Sequence, residues 1–443
     1  MQTTPTRRRS RTVALAAAAA GTAVAVTAVA ATIHAEAAVV NLNPLEKALG
    51  FNAFVENRTI LASTEAEGPI ATGGDLRIEG SYNVMIHDTG SFTAPGDAAP
   101  SALVVGGRVD YTVDLATSVV QVLNGGYVKI GDLSGTSVLN TDGNGASVNT
   151  HLVAAGEDYN STPRIELTAQ QPIDSVGPTS PIDFADAFAT FRSEAAELYA
   201  CEAAAVEMTD SSGAVVPKGQ VGTNQQIRIT LEQGRTNVIN LTGEDLNNMS
   251  DLTFLNPPSA DTPLLVNVDT SGTGGELDWR VATQAGISGP QAPYMLWNFD
   301  DTTRLRIAAG DTVEGSILAP DADYSDISPA NVEGQIIAKN ANLGEIGENG
   351  GEIHHFPFAA ELTCESDEPS MSADGSTGAT DGPTSGDGTT GADGTDGPGG
   401  SGGDSLATTG DSMRPLIIAA GALAALGTAA VVATAVRRKG ARS

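Results

Sequence analysis

Aromatic side chains are scarce in this sequence: ten Phe, seven Tyr and two Trp among 443 residues. That leaves little material for a sugar-stacking cleft, and Trp279 and Trp297 are the only indoles. Cysteine is scarcer still. Cys201 and Cys364 are too few for a disulfide scaffold or a cysteine-based zinc site. Positive charge is short as well, with 23 Lys and Arg against 54 Asp and Glu and a formal net charge of −31. Nucleic acid and anionic membrane surfaces would repel such a chain, which excludes both as partners. Missing too are a Gly-x-Ser-x-Gly elbow with an assignable His, a His-Glu-x-x-His pair and a phosphate loop. The expectation is a protein that is not an enzyme and carries no cofactor and no catalytic residue. Abundant carboxylates leave a glycosidase pair open as the one enzymatic alternative.

What charge there is sits unevenly. Arg7, Arg8, Arg9 and Arg11 precede the first apolar run, while Arg414, Arg437, Arg438, Lys439 and Arg442 flank the last. Between Ala38 and Thr409 stand 14 basic against 52 acidic residues. Basic ends around an acidic middle make the ends addresses. Val13 to Ile33 is nearly continuous Ala, Val and Thr, and Ala35-Glu36-Ala37 offers the small-x-small pattern of signal cleavage. A secretory signal over 1–37 and a mature start at Ala38 follow; an uncleaved N-terminal anchor is the alternative. The adjacent arginines leave Sec and twin-arginine export both open.

The far end holds three parts in order: Leu406-Ala407-Thr408-Thr409-Gly410, 22 uncharged residues from Pro415 to Val436, then Arg437-Arg438-Lys439. As a helix the apolar run would span about 33 Å, enough for a bilayer core, with the basic tail on the cytoplasmic side. This order resembles a Gram-positive cell-wall sorting signal in the LAxTG form of class E sortases, typical of actinobacteria. The resemblance implies that a sortase cysteine attacks the Thr409 carbonyl, releases Gly410 onward and passes the acyl group to a peptidoglycan amine. The implied location is secreted and anchored to the cell wall, with the membrane touched only through 415–436 before sorting. An ordinary single-pass anchor is the competing reading. Before this tail, 365–405 is Gly, Ser, Thr, Asp, Pro and Ala without a basic residue. It cannot bury enough apolar area to offset chain entropy, so a disordered, extended spacer is expected.

Residues 38–364 hold short β-like runs between Gly, Asn, Asp and Pro, such as Leu76 to Ile78, Ala102 to Val105, Val119 to Leu123, Tyr127 to Ile130, Gln226 to Thr230, Asn237 to Leu241 and Leu264 to Val268. Gly315-Ser-Ile-Leu-Ala319 recurs 19 residues later as Gly334-Gln-Ile-Ile-Ala338, with a looser copy at Gly68-Pro-Ile-Ala71 and Gly-Gly pairs at 73–74, 106–107 and 125–126. That spacing suits one coil of a β-solenoid, or β-helix; a pair of β-sandwiches would use the same strands. One segment differs. Ser180 and Pro181 read as a helix start, and Phe184, Phe188, Phe191, Ala195 and Leu198 form one apolar stripe on a helix running to about Ala205. One long α-helix packed alongside the solenoid is expected.

These residues resemble the choice-of-anchor A domain family. The resemblance rests on Phe51-Asn-Ala-Phe54, Gly68-Pro-Ile-Ala-Thr-Gly-Gly-Asp-Leu76, Leu296-Trp-Asn-Phe299, Gly315-Ser-Ile-Leu-Ala-Pro320, Asn331-Val-Glu-Gly-Gln-Ile-Ile-Ala338 and Glu352-Ile-His-His-Phe-Pro-Phe358, and covers about 43–362. It implies an ice-binding-adhesin-like solenoid on the cell surface, acting as an adhesin or display module toward a host-matrix or cell-surface ligand. A structural coat protein without a specific ligand is the alternative. Ice binding by a flat face would need a regular Thr-x-Thr ladder, which the body lacks. Outside the membrane Cys201 and Cys364 would pair, closing a loop that pins the helix to the last strand; two separately buried thiols are the alternative. His354 and His355, adjacent in a strand, would point to opposite faces and sit at a structural edge. Asp321, Asp323 and Asp326 read as a solvated loop, with calcium as the alternative.

Overall fold

The structure is a computed structural model that describes residues 37–87, 90–112, 117–201, 203–345 and 350–369. The chain divides into two units, residues 1–373 and 374–443. The second unit lies wholly outside the described residues. So do Ala35, most of the spacer 365–405, the sorting residues Leu406, Ala407, Thr408, Thr409 and Gly410, and the apolar run 415–436. No helix among the described residues is long and apolar enough to cross a membrane.

The β-like runs form Leu76–Ile78, Ser101–Val105, Val119–Val122, Tyr127–Ile130, Gln225–Ile229, Asn237–Thr242 and Leu264–Asp269. Among the described residues, named strands pair antiparallel only where Ala37–Leu42 meets Leu362–Pro369, and in the group Thr136–Thr141, Ser147–Ala154 and Arg164–Leu167. All other named pairs are parallel. Immunoglobulin-type sandwiches are built from antiparallel strands, so the two-sandwich alternative is excluded. The protein is mainly β. Successive turns of chain lay short strands on three ladders, consistent with the expected β-solenoid.

The first ladder shows how the chain is wound. Ile317 stands beside Ile336, Ile336 beside Ala53, Ala53 beside Ile70, Ile70 beside Leu103 and Leu103 beside Val128. The 19-residue repeat is therefore one true coil, and the looser copy at Gly68 lies two rungs on. Other coils are shorter or longer, so the period fades in the sequence. The ladder also joins distant parts of the chain. Ile336–Leu343, near the C-terminal end of the body, pairs with Ala53–Val55 near its start. From Ala53 the chain builds outward to Tyr127–Ile130, returns through a helix, and resumes at Ala204–Ala205. It then builds back through Asn237–Thr242, Leu264–Asp269, Met295–Asn298 and Ser316–Asp326 to meet its own beginning.

That meeting line is a seam, and buried amides hold it. Asn52 is fully buried; its Nδ2 donates to the Gly334 and His354 carbonyls at 2.7 and 3.0 Å, and its Oδ1 accepts from Gly68 N at 2.8 Å. Gln335 donates to the Phe51 carbonyl at 2.9 Å and accepts from Phe358 N at 2.9 Å. Each side-chain amide thus bonds backbone groups from both sides of the seam.

The returning helix is Phe184–Tyr199, shorter at both ends than the sequence reading. Asp183, not Ser180, caps it by accepting from Asp186 N at 3.0 Å; Ser180 instead bonds locally around Ile182. The apolar stripe is as read: Phe184, Phe188, Phe191, Ala195 and Leu198 are buried. It covers the outward side chains of the first ladder, including Leu265, Leu296, Leu318, Ile337, Phe54, Ala71 and Val104. Asn267 and Asn298 donate to the Leu198 and Ala195 carbonyls, each at 2.9 Å, and fasten the last turn of the helix to the ladder. Arg192 crosses the seam. It reaches Glu56 at 2.9 and 2.6 Å on one side and Asp321 at 2.7 Å on the other.

One sequence reading needs correction here. Asp321, Asp323 and Asp326 lie inside the strand Ser316–Asp326, not in a loop, and alternation sends Asp326 into the core while Asp323 faces out. Only two of the Gly-Gly pairs stack. A Cβ on Gly106 would stand 2.3 Å from the Gly73 carbonyl oxygen, and one on Gly131 would stand 2.0 Å from that of Gly106. This corner column demands glycine because successive backbones touch. Gly125 belongs to an open turn.

Phe54 meets three helix rings, with centroids 5.0, 5.9 and 5.8 Å from Phe184, Phe188 and Phe191. Phe54→Ala should lower the unfolding free energy by about 3–5 kcal/mol, read from urea denaturation. A loss below ~1 kcal/mol would mean that the helix does not depend on this contact.

Candidate functional site

The helix covers the first ladder, which leaves the outer sides of the other two for solvent or partners. The second ladder runs through Glu276–Val281, Arg304–Gly310, the later parts of Ser316–Asp326 and Ile336–Leu343, then Thr59–Leu61, Leu76–Ile78 and Val109–Asp110. Period-two alternation buries Leu277, Leu305, Tyr324, Ala341, Leu61, Leu76 and Val109. One outward row reads Asp278, Arg306, Ser325, Asn342, Ile60, Arg77, Asp110. A neighbouring row reads Glu276, Arg304, Asp323, Asn340.

Half of the body's basic residues gather on or beside this face: Arg58, Arg77, Arg108, Arg280, Arg304, Arg306 and Lys339. They alternate with acids. Arg304 meets Glu276 and Asp278 at 2.7 Å each, Arg77 meets Glu79 at 2.8 Å, and Arg108 meets Asp75 at 3.4 Å. On a strongly acidic body this is where the charge is balanced. A groove of about 400 Å³ adjoins it, lined by Asp300, Asp301, Thr303, Asp321, Asp323 and Lys339.

The outer side of the third ladder is different. Val313–Glu314, Val332–Glu333 and Ile353–His354 stack in register and continue to Glu65–Ala66. The strand Ile353–His354 thus has a neighbour on each side, Val332–Glu333 and Glu65–Ala66, which corrects the edge position read from sequence. In-register stacking puts Glu314 beside Glu333 and Glu333 beside His354. His354 Nδ1 lies 2.8 Å from Glu333 and Nε2 lies 3.1 Å from Glu352. Burial opposes its charge, but the Glu352 hydrogen bond and the Glu333 and Glu67 carboxylates outweigh burial and raise its pKa. Burial first, then the charge of Glu333, push Glu314 up to about 7. Burial also raises Glu333, against the pull of His354. His355, just past the end of that strand, is lowered by burial.

Cys201 and Cys364 are joined, Cα to Cα 5.1 Å, and both are buried. The bond ties the residue just past the helix to the strand Leu362–Pro369. It closes a 163-residue separation, for which the chain-entropy relation gives about 5 kcal/mol. Five residues assigned to the spacer, 365–369, belong to that strand. Ala37 and Ala38 open the strand Ala37–Leu42, where Ala38 pairs with Ser366. Trp279 and Trp297 are buried against each other at 4.8 Å and offer no sugar platform. No group of three or more His, Cys, Asp or Glu among the described residues is placed to hold a metal ion.

The sequence reading missed Arg192, Asn52, Gln335 and the charged rows. Asn52 and Gln335 fall inside quoted blocks, and their signal is a polar residue breaking an apolar run. The Arg positions carry no local signal, because coils of unequal length bring them into line.

Coils of parallel strands, one covering helix and a charged outer face on the second ladder make up the described body. The chain belongs to the family described as "Putative Ice-binding-like adhesive domain", which matches residues 44–355. No curated protein matches it. The crystal structure of an ice-binding protein from an Antarctic biological consortium is similar at 11% identity and a TM-score of 0.28, covering 72% of this chain and 90% of that one. An ice-binding protein from an Antarctic Flavobacteriaceae bacterium gives 12% and 0.21, covering 68% and 81%.

On the third ladder His354, Glu314 and Glu333 take up protons more readily when folded. For His354, a raised folded pKa means its stabilisation is complete below the unfolded value and lost as pH rises through the folded one. Glu314 and Glu333, also raised, favour the folded state while protonated and oppose it once ionised. Carboxylates with lowered values, such as Asp269 at about 2 through its Ser271 and Lys218 hydrogen bonds, lose their contribution only in stronger acid. Tm should therefore be higher near pH 5.5 than near pH 8, and Glu314→Gln should flatten the difference. A Tm that rises from pH 5.5 to 8 would contradict this balance.

Proposed function

We propose that the protein is an exported adhesin, held on a Gram-positive cell wall by its C-terminal signal and making contact through the outer side of the second ladder. The family match over 44–355 carries this reading, because the matching domain is described as adhesive. Support comes from the charged rows, which leave one nearly neutral face on an acidic body. Such a face recognises a polar polymer or matrix protein by paired charges, and many weak copies on one wall act together. The rows bear Arg, Asp, Glu and amides where a lattice match to ice would need regular threonines.

In this account a class E-type sortase acts on Thr409, with Leu406, Ala407, Thr408 and Gly410 as its recognition residues, after signal cleavage following Ala37. The spacer carries the body away from its peptidoglycan linkage. The protein is the substrate of that reaction and performs none itself.

Mass spectrometry of wall digests should find Thr409 joined to a peptidoglycan amine; a chain that keeps Ala435 and the basic tail overturns the sorting step. Cells displaying the chain should bind an immobilised matrix or glycan ligand saturably. The double variant Arg304→Glu with Arg306→Glu should cut that binding about tenfold or more while leaving the fold intact, since exposed pairs contribute little to stability. Binding unchanged by the reversal would move the contact elsewhere. An array with no ligand, together with altered surface texture on deletion, would favour the coat-protein reading.

A further inference from the structure

We propose that the Cys201–Cys364 bond is a load stop: tension arriving through the C-terminal tail passes into the Phe184–Tyr199 helix and is kept off the seam strand Ile336–Leu343. The inference rests on the tethered reading above, because only a chain held by its tail is pulled there.

The path of the chain makes the case. Leu362–Pro369 belongs to a two-stranded sheet whose other member is Ala37–Leu42. Upstream of Cys364, the segment is held to the body by Thr363 N on Thr236 Oγ1 at 2.8 Å, Ala359 N on the Pro293 carbonyl at 2.8 Å, and Phe358 N on Gln335 at 2.9 Å. Leu362 is buried beside them. Next comes Ile353–His354, a two-residue rung, and before it Ile336–Leu343. The tail thus joins the stack of coils at its middle. Peeling from that end would reach the strand that pairs with Ala53–Val55 on one side and Ser316–Asp326 on the other.

Cys364 stands ahead of all of this. Its bond to Cys201 ends just past a helix whose buried stripe lies on residues of both halves, from Leu265 and Leu296 to Ala71 and Val104. Force taken up there is spread over many rungs as shear of a packed interface. Force taken by the main chain alone would open contacts one at a time.

The test is single-molecule stretching of the full chain in detergent. One handle sits on a tag at Gly145, a turn with open space around it, and the other on Ser443. The bonded protein should hold until the body gives way as a whole. The Cys364→Ser variant should yield first at about half that force or less, with release of roughly 100 Å as residues 336–364 peel off. Should the variant fail to fold, a phosphine reductant added during a low-force hold on the bonded protein makes the same comparison. Equal first-yield forces with and without the bond, or a first release from another part of the chain, would overturn the proposal. Wall digests lacking a Thr409 linkage would remove the natural source of tension and leave these force records unchanged, so the two readings fail separately.

Discussion

A parallel β-ladder accepts any strand that offers its backbone in register, whether or not that strand is next in the chain. The rest of this structure depends on that tolerance at one line, where Ile336–Leu343 meets Ala53–Val55. Without the seam the body would be two short stacks, each with an open edge inviting association. Asn52 and Gln335 close it from within, and Arg192 bridges it from the helix side through Glu56 and Asp321. Charged groups at the outer margin and amides at the inner one divide the work by solvent access. A buried ion pair would face a desolvation cost that a buried amide escapes.

Much of this was legible in the sequence where local pattern decides structure. The short runs gave strands because alternation of apolar and polar residues is a property of a few neighbours. The Phe184 to Leu198 stripe gave the helix for the same reason at a longer period. Its cap was misread because Pro181 is as good a helix opener as Asp183, and the chain chose the later one. Coil-to-coil register was legible only where two coils happened to match in length, at Ile317 and Ile336. The row Asp278, Arg306, Ser325, Asn342, Ile60, Arg77, Asp110 crosses the seam, so no reading along the chain assembles it. Asp326 likewise reads as a loop acid, and only the register turns it inward.

Stacking in register also explains the electrostatics. The same geometry that aligns aliphatic side chains into a core aligns carboxylates into a repelling column on the third ladder. There His354 sits within reach of Glu333 and Glu352, and Glu314, further along, shifts its proton equilibrium instead. On the second ladder the alternation of Arg with Asp and Glu avoids this conflict, and the face is near neutrality. Two outer surfaces of one winding thus differ in character because of which residue types fall into line.

The winding has a consequence for how such a protein can change size. Because the first and last coils of the body meet at the seam, its two outermost coils are built from unrelated stretches, one around 127–167 and the other around 204–242. Duplicating a coil at either extremity would displace only the closing elements there and leave the seam where it is. Such a body can be lengthened in two directions independently, and the rungs where it closes on itself never have to move.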